Sequence, residues 1–289
     1  MLRFSIGEYT TPGLSFAEDL TVYRDGGADG IGIDVGLKIR DPVEDLARFK
    51  ASGLEATYCF PATSTVLFGS LSRGSRDPET RIDEICDGVR MLAGFEPVCV
   101  ACGPGPYAGR TPDEARQIVV AGLKKVARTA ADLGITIALE PMHSSMATEW
   151  SFLTNIPDTM ELLDELDEPN VGIIVDVWHL WDTPDLLTHL RENVSHIVGV
   201  HLNDRRDPTR SWCDRVLPGD GIGGVDAFLG ALDDAGYDGW LEVEIFSDDG
   251  RFGDDFSDSL WKQDPLELIR EARTKTLRAW ENRIRPSRL

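Results

Sequence analysis

The amino-acid sequence predicts an α/β protein built as one (β/α)₈ barrel, the TIM barrel. Short apolar segments alternate with amphipathic helical segments eight times along the chain, which favours a parallel sheet covered by helices. The 289 residues suit a single barrel, which typically takes about 250. No GxGxxG follows the first apolar segment, which counts against an open doubly wound sheet. We therefore expect one domain over residues 1–289, with a closing helix at about 264–282.

The predicted strands are mostly continuous apolar runs, as expected for parallel strands that helices cover. They are Arg3–Gly7, Gly30–Val35, Glu55–Phe60, Pro97–Cys102, Thr136–Glu140, Gly172–Asp176, Ile197–His201 and Leu241–Ile245.

The intervening helices have recognisable start and stop signals. An Asp or Thr that can cap a helix stands just before a proline, which fits the first helical turn. These pairs are Asp41-Pro42, Asp77-Pro78, Thr111-Pro112 and Thr183-Pro184. Glycines that suit helix ends follow at Gly53, Gly94, Gly134 and Gly236. A further helix is predicted at Val225–Ala235.

Composition excludes several partners. The 29 basic and 50 acidic residues give a net charge of −21, which argues against nucleic acid because such binding depends on a basic face. No apolar run approaches the roughly 18 residues that span a bilayer. No signal peptide is visible at the start, so we expect a cytoplasmic protein that does not bind membranes.

The five cysteines indicate reduced thiols in a cytosolic chain. Cys99 and Cys102 have the spacing of a CxxC pair but fall in a predicted strand. Residues three apart on a strand point to opposite faces, so their sulfurs would not converge on one metal. We expect both to be buried structural residues.

Four successive predicted strands end in residues that can bind a metal. Glu140, Asp176, His201 and Glu244 follow or end the fifth to eighth strands, at the barrel mouth where function resides. Carboxylates that converge there would repel one another, and a divalent cation resolves that repulsion. The alternative is a hydrogen-bonded structural cluster. We expect strand alternation to let only one of Glu242 and Glu244 point inward, and Glu244 is the predicted ligand.

The ligand set indicates the type of metal. Three carboxylates suit Mn²⁺ or Mg²⁺, and the single imidazole also admits Co²⁺, Fe²⁺ or Zn²⁺. We expect one divalent ion, with Mn²⁺ first.

Other polar residues lie in the same loops. His179 and His143 each follow a predicted ligand by three residues, and either contacts substrate or has a structural role. Arg205 and Arg206 follow His201 and either bind substrate or are surface charges. The run from Leu217 to Gly224 either turns into the next helix or cradles an anion at its start.

Several motifs together resemble the sugar phosphate isomerase/epimerase family, whose members have the xylose isomerase-like barrel. The motifs are Ala138-Leu-Glu-Pro-Met-His143, Val175-Asp-Val-Trp-His179, Gly199-Val-His-Leu-Asn-Asp204, the Pro-Gly-Asp-Gly run and Gly236-Tyr-Asp-Gly-Trp-Leu-Glu-Val-Glu244. The resemblance covers the fourth to eighth strands well and the first third of the chain loosely.

The resemblance implies site residues and a reaction. Glu140, Asp176, His201 and Glu244 match the family's metal ligands, and His179 matches its substrate-contacting histidine. An arginine soon after the metal histidine matches Arg205 or Arg206 approximately. The family includes ketose 3-epimerases and inosose dehydratases, so the expected substrate is a small ketose, sugar phosphate or cyclitol.

The expected chemistry is removal of a proton beside a carbonyl, through an enediolate that a metal stabilises. Glu140 and Glu244 are the expected acid and base. Return of the proton gives an epimer or an isomer, whereas expulsion of a β-hydroxyl gives a dehydration. Homodimers or homotetramers are implied by the resemblance alone, with Trp212 and Trp261 on candidate contact or lid loops.

Two other classes of function are disfavoured. A DNA repair nuclease of the endonuclease IV type needs many histidines, and this chain has five with a net charge of −21. A non-catalytic sugar-binding subunit would not need both Glu140 and Glu244 at a metal.

Overall fold

The computed structural model describes residues 2–284 and contains the expected alternation of strands and helices. The strands of that part of the chain are β1 Arg3–Gly7, β2 Gly30–Gly32, β3 Glu55–Ala56, β4 Tyr58–Cys59, β5 Cys99–Ala101, β6 Ile137–Leu139, β7 Val171–Asp176, β8 Ile197–Leu202, β9 Asp204–Arg205, β10 Arg215–Val216 and β11 Trp240–Val243. The helices are α1 Phe16–Gly26, α2 Pro42–Ser52, α3 Pro78–Leu92, α4 Pro112–Ala131, α5 Ile156–Leu166, α6 Val177–Leu180, α7 Leu186–Glu192, α8 Val225–Ala235 and α9 Pro265–Asn282.

The main sheet is parallel and closes into the expected barrel. Its strand order is β3-β2-β1-β11-β8-β7-β6-β5-β4. Only Thr57 separates β3 from β4, so this single stretch pairs with β2 on one side and with β5 on the other. The nine strands of the main sheet therefore correspond to the eight predicted ones. Most of these strands are shorter than the predicted ones, because the backbone leaves the hydrogen-bonded ladder and enters a loop before the apolar run ends.

The helix signals are largely confirmed. Asp41, Asp77 and Thr111 each cap a helix through the side chain, with proline in the first turn. The prediction at Thr183-Pro184 is displaced, because α7 begins at Leu186 after Asp185 in a left-handed conformation. Helix α8 has the predicted bounds, and α9 lies where the closing helix was expected.

Clusters of buried apolar side chains fill the barrel and the space between its strands and helices. The larger cluster joins the helices to the outer faces of the strands. A smaller cluster lies within the barrel and contains Tyr58, Cys99, Ala138, Ile174 and Trp240.

Cys99 and Cys102 belong to different clusters, as expected for residues on opposite faces of a strand. All five cysteines are buried free thiols. Among residues 2–284, no helix is long and apolar enough to cross a membrane.

Candidate active site

The four predicted metal ligands meet at the carboxyl end of the barrel. Asp176 ends β7 and stands opposite His201 of β8 in the ladder. Glu140 follows β6 directly, and Glu244 follows β11 directly. Because these strands are parallel neighbours, their ends bring the four side chains to one side of the barrel mouth.

The imidazole of His201 lies at the centre of this group. Its Nδ1 atom lies 2.7 Å from Glu140 Oε1, 4.0 Å from Asp176 Oδ2 and 3.9 Å from Glu244 Oε2. His201 and Asp176 are fully buried, and Glu244 is 4% exposed. Three carboxylates thus surround one ring nitrogen in a site almost without solvent.

This donor set fits a divalent cation. One ligand atom from each of Glu140, Asp176 and His201 lies within 4.8 Å of the others. Glu244 is the fourth residue of the set, with its Oε2 atom 3.9 Å from His201 Nδ1. Hard oxygen donors with one imidazole are the ligands that Mn²⁺, Mg²⁺ or Zn²⁺ accept.

A fifth residue that the sequence reasoning missed completes the cluster. The guanidinium of Arg215 is buried, and its Nη1 atom donates to Asp176 Oδ2 at 3.0 Å and to Glu244 Oε2 at 2.8 Å. The positively charged guanidinium of Arg215 therefore bridges two of the candidate ligands, Asp176 and Glu244. The sequence feature that could have indicated Arg215 is its position two residues before the run from Leu217 to Gly224.

The two arginines chosen from the sequence lie elsewhere. Arg205 stacks on Trp181, with its guanidinium carbon 3.7 Å from the ring centroid. Arg206 pairs with Asp214 and Asp258, at 3.1 Å in each case. The physical reason is the β9–β10 hairpin, which pairs Arg205 with Arg215 and carries the chain back to the pocket only at Arg215.

The two histidines have different surroundings. His179 lines the pocket, and its Nδ1 accepts the backbone N–H of His143 at 3.1 Å. The His143 ring instead lies 2.8 Å from Ser145 Oγ and 3.4 Å from Asp182, and stacks on Trp181. His143 thus supports His179 through its backbone, and its ring is not among the pocket-lining groups.

Burial and neighbouring charges shift the pKa values in the site. Burial raises the pKa of Glu244 to about 7, against the opposing effects of His201 and Arg215. Burial lowers the pKa of His179 to about 4, although Asp176 opposes this, so His179 is neutral at physiological pH. Burial also lowers the pKa of His201, but Glu244 and Glu140 outweigh it and leave that pKa well above its usual range.

Two of the four candidate ligands, Glu140 and Glu244, line a pocket of about 330 Å³. Its wall is mainly aromatic and apolar, and includes Phe60, Trp150, Trp212, Phe246 and Phe252. Trp212 was expected on a contact or lid loop, and it lies in this wall with its ring centroid 4.9 Å from that of Phe252. Trp261 lies behind the wall, where its indole N–H donates to the carbonyl of Ile245 at 3.0 Å.

The first third of the chain contributes a second polar group that the sequence did not reveal. The Tyr9 hydroxyl donates to Asp34, and Arg73 donates to both. Tyr9 and Arg73 line the pocket. These residues come from three separate loops, so no local pattern in the sequence connects them.

The glycine run is held by a carboxylate of the protein itself. Asp204 accepts the backbone N–H groups of Gly219, Gly221 and Gly223 at 3.1, 3.0 and 2.7 Å. These amides have a partner already, so the turn into α8 explains the run. The alternative of an anion cradle has no free donors at these positions.

Glu242 corrects one expectation about the eighth predicted strand. Side chains two apart on a strand share a face, so Glu242 and Glu244 both point into the barrel. Both carboxylates are buried, and a β-carbon on Gly7 would lie 3.2 Å from Glu242 Oε1 and 3.5 Å from Glu244 Cγ. The expectation that alternation lets only one point inward was wrong.

With this geometry established, a family model described as the xylose isomerase-like TIM barrel matches residues 21–276. The chain belongs to this family. The match spans most of the barrel, and from residue 21 onward it includes the first third, where the motifs gave only a loose resemblance.

Relatives of this xylose isomerase-like barrel have names from two reaction classes. This chain is 32% identical over 155 residues to the inosose dehydratase of Klebsiella pneumoniae subsp. pneumoniae, and the match covers 47% of this chain and 49% of the relative. It is 30% identical over 128 residues to the ketose 3-epimerase of Arthrobacter globiformis, covering 44% and 40%. The chain thus spans about half the length of the curated relatives it matches.

The fold is also that of solved structures across their whole length. The IOLI protein with a bound zinc atom covers 98% of this xylose isomerase-like barrel, at a TM-score of 0.80 and 20% identity, and 99% of its own chain is matched. At this identity the likeness shows the fold alone.

Proposed function

We propose that the protein is a divalent-metal-dependent isomerase or epimerase of a small ketose or cyclitol, with Mn²⁺ as the first candidate metal. The observation that carries the proposal is the convergence of three carboxylates, those of Glu140, Asp176 and Glu244, on His201 Nδ1, beside the pocket that Glu140 and Glu244 line. The similarity to a ketose 3-epimerase and an inosose dehydratase supports the substrate class.

The residues that would hold the metal are Glu140, Asp176, His201 and Glu244. When bound, a divalent ion supplies Lewis acidity that stabilises negative charge on adjacent substrate oxygens. Asp176 and His201 are fully buried and serve mainly to hold the ion. Glu140 and Glu244 both line the pocket, so each has access to a substrate proton.

Glu140 and Glu244 are the proposed acid–base pair. One carboxylate removes the proton from the carbon beside the carbonyl, and the other returns a proton from the other side. Both carboxylates line the pocket, and carboxyl groups held beside a substrate carbon can serve as general base and general acid.

His179 and Arg215 provide a binding point for a substrate oxygen. Because His179 Nδ1 accepts the N–H of His143, the neutral ring carries its proton on Nε2. That atom lies 3.1 Å from Arg215 Nη2, which is also a donor. Two donors that face each other cannot bond, but an acceptor oxygen of a substrate can receive hydrogen bonds from both.

The substrate proposed for this pocket is an unphosphorylated sugar or cyclitol. Among residues 2–284 its lining includes two cationic side chains, Arg73 and Arg215. Arg73 is paired with Asp34, and Arg215 is paired with Asp176 and Glu244. A phosphate would therefore meet no uncompensated positive charge, whereas the aromatic wall suits the apolar face of a sugar or cyclitol ring.

Glutamine variants test the acid–base pair. Glu140→Gln and Glu244→Gln keep side-chain size and one oxygen ligand, so each should retain much of the metal and lose about 10²- to 10⁴-fold in turnover. Glu149→Gln changes an exposed glutamate of the chain and is the matched control. Metal content is measured beside turnover on a panel of ketoses and cyclitols, with phosphorylated and free forms compared.

Reaction in heavy water gives an independent result. Proton transfer through a carboxylate should place deuterium at the reacting carbon, which product NMR detects. Unlabelled product together with fully active Gln variants would exclude the two-glutamate mechanism. Turnover confined to phosphorylated substrates would exclude the proposed substrate class.

A dehydratase is the second candidate, because the relative at 32% identity has that name. The same acid and base would remove the proton and assist loss of a β-hydroxyl group. Incubation with an inosose, followed by NMR for a dehydrated product, decides between the two reactions.

A further inference from the structure

Glu242 is a buried carboxylate that the proposed acid–base chemistry does not use. It lies in β11, where it stands opposite His201 of β8 in the parallel ladder. Its side chain is fully buried inside the barrel. A buried carboxylate destabilises a protein unless it is paired and hydrogen-bonded, so its place in the barrel requires a reason.

Two hydroxyl groups hold one oxygen of this carboxylate. Glu242 Oε2 accepts from Ser5 Oγ at 3.1 Å and from Thr57 Oγ1. Ser5 belongs to the neighbouring β1, and Thr57 lies between β3 and β4, two strands further along the sheet. The orientation of the carboxylate is therefore fixed from more than one strand.

Two glycines leave the space that the carboxylate fills. A β-carbon on Gly32 would lie 2.8 Å from the Glu242 carboxyl carbon, and one on Gly7 would lie 3.2 Å from Oε1. Neither glycine is among those with positive φ, so the backbone does not require glycine at these positions. Space for Glu242 explains both.

The second oxygen faces the candidate metal histidine. Glu242 Oε1 lies 3.4 Å from His201 Nε2, and within the described chain neither atom has a hydrogen-bond partner, so each is the nearest candidate partner for the other. The opposite nitrogen, Nδ1, faces Glu140, Asp176 and Glu244. Glu242 thus lies on the side of the ring away from the proposed metal, so it is not a ligand itself.

We propose that Glu242 is a positioning residue that accepts the Nε2–H of His201 and so leaves the Nδ1 lone pair free for the metal. A ligand histidine whose other nitrogen donates to a carboxylate is fixed in tautomer and ring orientation, and loss of such a partner typically weakens metal binding by about 10- to 100-fold. The inference rests on the metal site of the proposed function.

The test measures metal binding and not turnover. Mn²⁺ alone is titrated into chelator-treated protein, and free Mn²⁺ is followed by electron paramagnetic resonance. Glu242→Leu removes the acceptor and should raise the Kd for Mn²⁺ by about 10- to 100-fold. Glu242→Gln keeps an acceptor oxygen and should bind at least threefold more tightly than the Leu variant. Glu55→Gln, an exposed glutamate in β3, is the control that should match the parent.

Three outcomes decide the inference. A folded Leu variant that binds Mn²⁺ within twofold of the parent overturns the role of Glu242 and leaves the metal site intact. A parent that binds no Mn²⁺ overturns the metal site and, with it, the role of Glu242. The expected ranking of parent, Gln and Leu variants supports both.

The tautomer is tested in the parent protein, and the conservative Glu242→Gln variant is needed only to assign the resonance. Histidine labelled with ¹⁵N in the Zn²⁺-loaded parent should show one ring protonated at Nε2 and coordinated through Nδ1. Glu242→Gln should shift that Nε2–H resonance and so assign it to His201. Coordination through Nε2 would overturn the proposal.

Discussion

The most direct test of the site is replacement of Arg215 by methionine. Its guanidinium donates to Asp176 at 3.0 Å and to Glu244 at 2.8 Å in a site with almost no solvent. Arg215→Met keeps the length of the apolar stem but leaves two buried carboxylates without their cation. Removal of one partner of a buried ion pair typically costs about 3–5 kcal/mol.

That free energy should appear as a large loss of thermal stability. In proteins of 150–250 residues, 1 kcal/mol shifts the melting temperature by about 2–4 °C, so a fall of roughly 10 °C is expected for the metal-free variant. The fall should be smaller at pH 5 than at pH 8. The pKa of Glu244, about 7 in the parent, rises further without Arg215, and protonation removes one uncompensated charge.

The assay is calorimetric unfolding of chelator-treated protein, repeated with Mn²⁺. Because a cation can replace the lost charge, Mn²⁺ should raise the melting temperature of the variant more than that of the parent. Arg90→Met removes an exposed pair with Asp87 and should leave the melting temperature unchanged. A metal-free Arg215→Met variant that melts within 2 °C of the parent would refute the reasoning.

Four further predictions follow from the same structure. Gly32→Ala should destabilise the protein by about 1–3 kcal/mol in denaturant unfolding, because its β-carbon has no space beside the Glu242 carboxylate; unchanged stability would contradict this. Asp204→Ala leaves the amides of the glycine run without their acceptor and should cost at least about 2 kcal/mol in the same measurement. The calorimetric Kd for Mn²⁺ should rise as the pH falls from 8 to 6, since burial raises the pKa of Glu244 to about 7, neighbouring carboxylates raise the pKa of His201 despite its burial, and both protons must leave on binding; equal values at pH 6 and pH 8 would oppose this. Phe252→Ala removes a half-exposed ring at the pocket mouth and should raise KM with little change in kcat in steady-state assays.

The sequence predicted the barrel because its signals are local. The apolar run Gly172–Asp176 and the cap at Thr111 before α4 each depend on residues within a few positions. The meeting of Glu140, Asp176, His201 and Glu244 followed from one topological rule, that parallel strand ends share one side of the barrel.

The errors came from geometry that is not local or from a rule applied wrongly. Arg215 reaches the pocket only because the β9–β10 hairpin reverses the chain, which no spacing between His201 and the arginines reveals. The group of Tyr9, Asp34 and Arg73 joins three loops far apart in sequence. Glu242 was misplaced because residues two apart on a strand share a face.

The hydrogen bonds from the glycine run to the Asp204 carboxylate bear on how the substrate preference of this barrel could be redesigned. Because one carboxylate holds three backbone amides of the loop that follows β10, we expect substitutions in that loop to be poorly tolerated. The opposite side of the mouth, with Tyr9 and Arg73, consists of loops joined mainly through side chains. Loop replacements that aim to change substrate preference should therefore begin with the loops that carry Tyr9, Asp34 and Arg73. The loops that follow β8 and β10 should be left unchanged.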